Sequence, residues 1–83
     1  MIFKSKYIIV DSLAPELPIV FTELLTHSDV ARSIGGKVHG AGFCHIENNR
    51  YVCYGESVSL KVKSRGEADS KILNNLLGAG NES

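Results

Sequence analysis

The sequence predicts an α+β fold in which a mostly antiparallel sheet of four or five strands carries two short helices, one on each face. Runs rich in Tyr, Ile and Val predict the strands, two capped amphipathic segments predict the helices, and Asn48 with Asn49 predicts a hairpin turn. The element order is β-β-α-β-β-(β)-α. The 83 residues suffice for a single domain, placed at residues 1–78, and residues 79–83 are predicted to be a disordered tail.

Composition and charge exclude several classes of protein. The formal net charge is zero, from nine basic and nine acidic residues, so the chain lacks the basic character of a nucleic-acid-binding protein. The longest apolar runs, residues 7–10 and 18–21, are too short to span a bilayer, and the first six residues lack a signal-peptide pattern. We therefore expect a cytoplasmic protein that binds neither nucleic acid nor membrane.

Residues 6–11 and 18–22 are predicted to form the first two strands. Tyr, Ile and Val side chains make both faces of the first strand apolar, which indicates a central position in the sheet. Residues 12–17 contain Pro15 and are predicted to be a loop. Pro18 opens the second strand, at the position where its missing N–H matters least.

The first helix is predicted at His27–Ile34 from a capping box and a glycine pair. Thr26 followed three residues later by Asp29 makes Thr26 the N-cap. Gly35 and Gly36 end the helix, as glycine does at many helix C-termini. Its buried face is predicted to consist of Val30, Ala31 and Ile34.

A β-hairpin is predicted from strands Lys37–Glu47 and Arg50–Tyr54, joined by a two-residue turn. Asn48 and Asn49 form this turn because asparagine tolerates positive φ. The resulting register pairs Glu47 with Arg50, Ile46 with Tyr51, His45 with Val52, Cys44 with Cys53 and Phe43 with Tyr54.

This register carries two further predictions. Glu47 opposite Arg50 is a favourable charge pair, worth roughly 0.2–1 kcal/mol. Cys44 opposite Cys53 forms a redox-sensitive bridge, half of a metal site, or a pair of small core residues. We favour the core interpretation because a reducing compartment keeps thiols apart. His45 projects to the opposite face of the hairpin, so no metal site is expected.

Gly40 and Gly42 leave one face of the hairpin's first strand without side chains. Such a face either admits a close approach to the backbone or marks a bent strand, and the sequence favours the bend. The glycine spacing matches neither a dinucleotide-binding fingerprint nor a P-loop.

The last third of the chain is predicted to contain a strand and a second helix. Residues 57–63 alternate between polar and apolar side chains, which predicts a half-buried strand. Ser64 and Glu67 form a second capping box, and Gly78 ends the helix that follows. The predicted buried stripe of that helix is Ala68, Ile72, Leu73, Leu76 and Leu77.

The start of the first helix is the main candidate for chemistry. Unpaired backbone N–H groups and a partial positive charge at a helix N-terminus favour anions such as phosphate. His27 at this position is a phosphoryl acceptor, a general acid, or only a helix-end residue. The helix start also disfavours the imidazolium, which leaves the neutral ring that a nucleophile or base needs.

A second candidate is the polar row of the predicted strand at residues 57–63. Ser57, Ser59, Lys61 and Lys63 alternate with the apolar residues there. Such a row is usually a solvated face. If Ser57 and Ser59 lie beside the His27 helix start, their hydroxyl groups complete a phosphate cradle.

Three segments resemble the phosphohistidine phosphatase (Janus/ocnus) family. Lys6 and Tyr7 open an apolar strand, as a lysine and a tyrosine do in that family. The sequence His-Ser-Asp-Val at residues 27–30 resembles its His-Ala-Asp-Ile-like helix start. Gly-Ala-Gly at residues 40–42, leading to Tyr-Gly-Glu-Ser at residues 54–57, resembles its glycine-rich strand and Val-Tyr-Gly-x-Ser motif. The chain also resembles small uncharacterised proteins of bacterial prophages.

The family resemblance implies roles for individual residues. His27 resembles the residue that takes or activates the phosphoryl group, and Lys6 resembles the lysine that balances phosphate charge. The residues implied to line the phosphate site are Ser28, Asp29, Ser57 and Ser59. No cofactor and no metal are implied. Where the family carries an arginine this chain has Phe43, and it lacks part of the family's first loop and its C-terminal extension.

Two functions of different classes stay open from the sequence. One is a non-catalytic accessory or binding protein of phage or prophage type, with a homodimer through an exposed strand edge as its simplest assembly. The other is a phosphatase that acts on phosphohistidine or a related phosphoryl group through His27. The partner expected in either case is phosphate or a phosphorylated protein.

Overall fold

The computed structural model describes residues 4–12 and 15–78 and has the α+β architecture that the sequence predicts. The predicted tail at residues 79–83 lies outside the described residues. The elements, in chain order, are β1 Ser5–Asp11, β2 Leu17–Thr22, α1 His27–Ile34, β3 Lys37–Glu47, β4 Arg50–Tyr54, β5 Glu56–Ser57, β6 Val62–Lys63 and α2 Glu67–Leu76.

Four strands form an antiparallel sheet in the order β2-β1-β3-β4, and β5 pairs with β6 in a separate small hairpin. The central position predicted for β1 is confirmed, since this strand pairs with both β2 and β3. A register shift between Ile9 and Val10 marks a bulge where β1 meets the start of β3. The glycine-containing strand is therefore irregular, as the sequence favoured.

The two faces of the sheet are covered by different elements, and the prediction of one helix on each face is confirmed. On one face, Leu73 of α2 packs with Tyr7, Ile9, Cys44 and Cys53. The other face of β1 and β3 is covered by α1 and the small hairpin. The residues packed there are Ile8, Val10, Ala41, Val30, Ala31, Leu60 and Val62.

The β3–β4 hairpin matches its predicted register at every pair. Asn48 and Asn49 have φ of 52° and 63°, the positive values that the two-residue turn requires. Glu47 lies directly opposite Arg50, but no ion pair joins them; the Glu47 carboxylate is 3.5 Å from the His45 ring instead. The charge pair expected from the register is therefore absent, and Arg50 remains available for other contacts.

The prediction of one half-buried strand at residues 57–63 is wrong. The chain turns between β5 and β6, and Val58, an apolar residue of the alternating pattern, is 79% exposed. The Ser57 hydroxyl accepts from the Leu60 N–H at 3.2 Å, and Lys61 adopts a φ of 58°. A serine hydroxyl that accepts from a backbone N–H three residues later stabilises a turn in place of a strand, and residues 58–61 form such a turn.

Two predictions for the second helix are also wrong. Its N-cap is Gly66 and not Ser64, whose hydroxyl instead accepts from the Gly66 N–H at 2.9 Å. The buried residues of α2 are Asp69, Ser70 and Leu73, whereas Leu76 and Leu77 of the predicted stripe are exposed. The predicted end is correct: Gly78 has a φ of 62°, and its N–H donates to the Leu73 carbonyl.

Side chains of α2 cover the outer edge of β4. The Asn74 amide accepts from the Tyr51 N–H at 2.8 Å and donates to the Tyr51 carbonyl at 3.2 Å. The Ser70 hydroxyl accepts from the Cys53 N–H at 2.9 Å. These bonds satisfy three of the four outward backbone groups of Tyr51 and Cys53, so continuous pairing with another strand is blocked there.

The opposite edge of the sheet, β2, is only partly protected. The Glu23 N–H bonds the Lys4 carbonyl, so strand alternation directs the backbone of Pro18, Val20 and Thr22 outward. Pro18 has no N–H, and the Thr22 carbonyl accepts from Leu25 at 3.1 Å. Among the three outward-facing residues, only Val20 keeps both backbone groups unpaired.

No helix within residues 4–12 and 15–78 has the length and apolar character needed to cross a lipid bilayer.

Candidate functional site

The capped start of α1 places His27 against the sheet. The Thr26 hydroxyl accepts from the Asp29 N–H at 3.0 Å, and the Thr26 carbonyl accepts from the Val30 N–H at 3.2 Å. These bonds confirm the predicted N-cap and make His27 the first helical residue. The cap fixes the direction in which the His27 side chain leaves the helix.

The His27 ring is built into the core and is only 5% exposed. Phe21 and Phe43 contact it edge-to-face, with centroids 5.5 and 5.9 Å away. Its Nε2 atom lies 2.8 Å from the Gly42 carbonyl. A carbonyl only accepts hydrogen bonds, so we assign the ring proton to Nε2. The imidazole thus ties α1 to β3.

The surroundings of His27 favour its neutral form. Burial lowers the pKa of the imidazole below its ordinary value, and the nearby Lys6 ammonium lowers that pKa further, against the opposing effect of the bond to Gly42. Among the described residues no buried polar side-chain atom lacks a hydrogen-bond partner. The Nδ1 atom has no such partner, so it keeps some contact with solvent.

Lys6 lies near His27, as expected if the two residues belong to one site. It pairs with Phe21 on one side and Phe43 on the other, the two rings that hold the imidazole. Its ammonium group donates to the Leu25 carbonyl at 2.9 Å. Lys6 therefore anchors the turn that precedes α1, and its charge is partly satisfied there.

Ser28 and Asp29 occupy the first turn of α1 without forming an anion cradle. The Asp29 N–H is taken by the Thr26 hydroxyl, and the exposed Asp29 carboxylate lies 3.4 Å from Arg32. The Asp29 carboxylate is itself stabilised by the partial positive charge of the helix N-terminus, and it repels any second anion there.

Ser57 and Ser59 lie in the β5–β6 hairpin and its turn. Ser57 is buried in the β5–β6 hairpin, and its hydroxyl lies 3.4 Å from that of Ser59. The groove beside them, about 330 Å³, is also lined by Lys61 and Lys63. Within the described residues, no hydrogen bond joins either serine to His27. The structure thus places the charge of Lys6 near His27, and the hydrogen bonds of Ser57 stay within its own hairpin.

Phe43, which stands where the resemblance implies an arginine in the phosphatase family, is part of the aromatic surroundings of His27. Its ring packs against His27 on one side and stacks on Tyr54 at 5.9 Å and 27°. The Lys4 ammonium lies 5.6 Å from the Phe43 centroid, within the range of a cation–π contact. An aromatic ring thus fills the space beside His27 that a phosphate-binding guanidinium would need.

Sequence analysis missed a buried polar network between β1 and α2. The fully buried Asp69 carboxylate accepts from the Tyr7 hydroxyl, from the Arg65 backbone N–H at 3.0 Å and from Arg65 Nε at 2.7 Å. The Tyr7 hydroxyl also lies 2.7 Å from Ser64. The one signal in the sequence was Gly40: a Cβ atom there would lie 2.3 Å from the Asp69 carboxylate.

Cys44 and Cys53 are buried free thiols that lie directly opposite each other on β3 and β4. Burial raises the pKa of the Cys44 thiol to about 12, and burial also raises the pKa of Cys53. Raised pKa values leave little thiolate, the reactive form. Both thiols pack in the apolar core with Leu73, which supports their interpretation as small core residues.

Comparison of the chain with protein-family models, with curated proteins and with solved structures finds no match. The functional interpretation therefore depends on the geometry of the site.

Proposed function

We propose that this chain is a small non-catalytic binding protein, an accessory module that acts through contacts with another protein. The observation that carries the proposal is the state of His27. Its ring is almost fully buried and contacts two aromatic rings, and its Nε2 N–H donates to a backbone carbonyl. Such a ring contributes to folding, whereas a phosphoryl acceptor must meet its substrate in line.

The surroundings of His27 support the same proposal. Phe43 takes the place of the arginine that the phosphatase family uses to hold phosphate, and phosphoryl transfer depends mainly on such charge stabilisation. The Asp29 carboxylate adds negative charge beside the helix start, and the Ser57 hydroxyl serves its own turn. The zero net charge and the small size of the chain also favour an accessory role.

A phosphatase remains the second candidate, and one specific observation favours it. The His27 Nδ1 atom has no hydrogen-bond partner among the described residues, and the ring is held neutral beside the Lys6 ammonium. A neutral nitrogen next to a cation is the arrangement that a phosphoryl acceptor uses. In this alternative His27 is the nucleophile and Lys6 balances the phosphoryl charge.

Hydrolysis of a phosphohistidine peptide, followed by ³¹P NMR, separates the two functions. We expect the phosphohistidine peptide to hydrolyse no faster with the wild-type protein than in buffer alone. The same is expected with His27→Gln. Turnover by the wild type that His27→Gln loses, while the variant keeps a folded amide spectrum, would establish the phosphatase. If the protein is a phosphatase, Lys6→Gln should also lose turnover, whereas Lys37→Gln, which removes an exposed lysine from the far end of β3, should keep it.

A further inference from the structure

A groove of about 700 Å³ runs between the outer edge of β4 and the first two turns of α2. Its floor is formed by Tyr51, Cys53 and Ser70, and its rim carries Arg50, Glu67 and Lys71. This volume lies within the usual range of ligand-binding clefts, roughly 300–1,000 Å³. The groove shares none of these residues with the surroundings of His27.

The rim of the groove carries cations without carboxylate partners. Arg50 and Lys71 are exposed, and neither forms an ion pair within the described part of the chain. Glu47 lies opposite Arg50 in the hairpin, but the Glu47 carboxylate lies beside the His45 ring and forms no ion pair with Arg50. Glu67 also stands on the rim, one helical turn before Lys71, so the rim has one net positive charge.

The edge of β4 adds a backbone acceptor to the groove. Asn74 occupies both backbone groups of Tyr51, and Ser70 occupies the Cys53 N–H. Because the Cys53 N–H points outward, its carbonyl also points outward. Within residues 4–12 and 15–78, no group donates to that carbonyl. The groove therefore offers one outward carbonyl next to two unpaired cations.

We propose that this groove binds an extended acidic segment of a partner protein. The segment places a carboxylate between Arg50 and Lys71 and donates one backbone N–H to the Cys53 carbonyl. A peptide fits these features better than a small anion does, because a peptide supplies both a carboxylate for the cations and a backbone N–H for the carbonyl. This inference rests on the proposed binding function and gives it a site and a class of partner.

Amide chemical shifts test the proposal with a defined probe. The probe is the capped hexapeptide Glu-Val-Glu-Val-Glu-Val, titrated into ¹⁵N-labelled full-length protein at low salt. We expect saturable shifts at Arg50, Tyr51, Cys53, Ser70 and Lys71, which weaken as salt is added. The same peptide with glutamine in place of glutamate should bind at least about tenfold more weakly, since it lacks the charges that meet the rim.

Two double variants assign the binding to the groove. Arg50→Gln with Lys71→Gln should weaken binding of the glutamate peptide at least about tenfold. Lys37→Gln with Lys63→Gln, the same change in net charge on exposed residues outside the groove, should leave the affinity within about twofold. All four side chains are exposed, so both variants are expected to keep the fold, and their amide spectra check this.

Several outcomes would overturn the assignment. These are no saturable shift, equal loss of affinity in both double variants, or shifts of the same amides by inorganic phosphate at lower concentration than by the peptide. Tighter binding of oligothymidylate than of the peptide would assign the groove to nucleic acid. None of these results bears on phosphohistidine hydrolysis, so this inference and the proposed function fail by different measurements.

Discussion

At the scale of single residues, the fold is held by polar side chains that are buried and fully bonded. Asp69 is the clearest case, because its carboxylate is inaccessible to solvent and accepts from Tyr7 and Arg65. A buried charge is tolerated only when paired and hydrogen-bonded. His27, at the other face of the sheet, is buried in its neutral form, and the Gly42 carbonyl accepts its Nε2 proton.

Substitution of Gly40 by alanine tests the close approach of Asp69. The added Cβ would lie 2.3 Å from the carboxylate, so the helix or the strand must shift, and we expect a loss of about 2 kcal/mol in the free energy of unfolding. In an Asp69→Ser background the same change should cost less by at least about 1 kcal/mol. Equal costs in the two backgrounds, measured by urea unfolding, would contradict the proposed contact.

The pH dependence of stability tests the burial of His27. Burial lowers the pKa of the folded state below the unfolded value of 6.5, so the unfolded chain binds the proton more readily. The contribution of His27 to stability is therefore full above pH 6.5 and is lost progressively as the pH falls below that value. Urea unfolding from pH 8 to pH 5 should show this fall, and His27→Gln should show less of it. If the free energy of unfolding falls with pH equally in the wild type and in His27→Gln, a group other than His27 causes the pH dependence.

At the scale of elements, local signals predicted α1 and the β3–β4 hairpin, because caps and turns depend on neighbours in sequence. Thr26 with Asp29, and Asn48 with Asn49, determine these boundaries within a few residues of chain. The inward face of α2 could not be predicted in this way. It carries Asp69, Ser70 and Asn74 because it meets a tyrosine hydroxyl and an open strand edge, which only the tertiary structure brings together.

Asn74→Ala tests the role of α2 as a cover for β4. Loss of the amide leaves the Tyr51 N–H and carbonyl without partners, and we expect a loss of about 1–3 kcal/mol in the free energy of unfolding. Hydrogen exchange at Tyr51 should accelerate. Asn75→Ala, the same substitution one residue later on the exposed side of the helix, should change both quantities little. Similar effects of the two substitutions would show that Asn74 does not cap the edge.

At the scale of the whole molecule, the edge of β4 is covered by side chains and the edge of β2 is partly protected. Asn74 and Ser70 occupy the edge of β4, and Pro18 removes a donor from the edge of β2. The sequence correctly predicted one helix on each face, since Tyr7 and Ile9 alternate with Ile8 and Val10. It could not predict how the edge of β4 is protected, because that protection depends on side chains of α2 that lie distant in sequence.

We therefore predict a monomer in solution. Sedimentation equilibrium over a hundredfold range of concentration should give a constant mass near 9.0 kDa. A mass that rises toward twice this value would contradict the edge analysis. Pro18→Val, which restores an N–H to the outer edge of β2, should then increase self-association relative to the wild type.

Long-range ¹H–¹⁵N NMR of the His27 ring distinguishes a histidine that stabilises the fold from one that reacts with phosphate. Over a titration from pH 8 to pH 5, we expect the neutral ring to carry its proton on Nε2 and to have a pKa below 6.5 that inorganic phosphate leaves unchanged. A ring that titrates at or above 6.5, or whose pKa rises when phosphate is added, would instead be an accessible phosphoryl-binding imidazole.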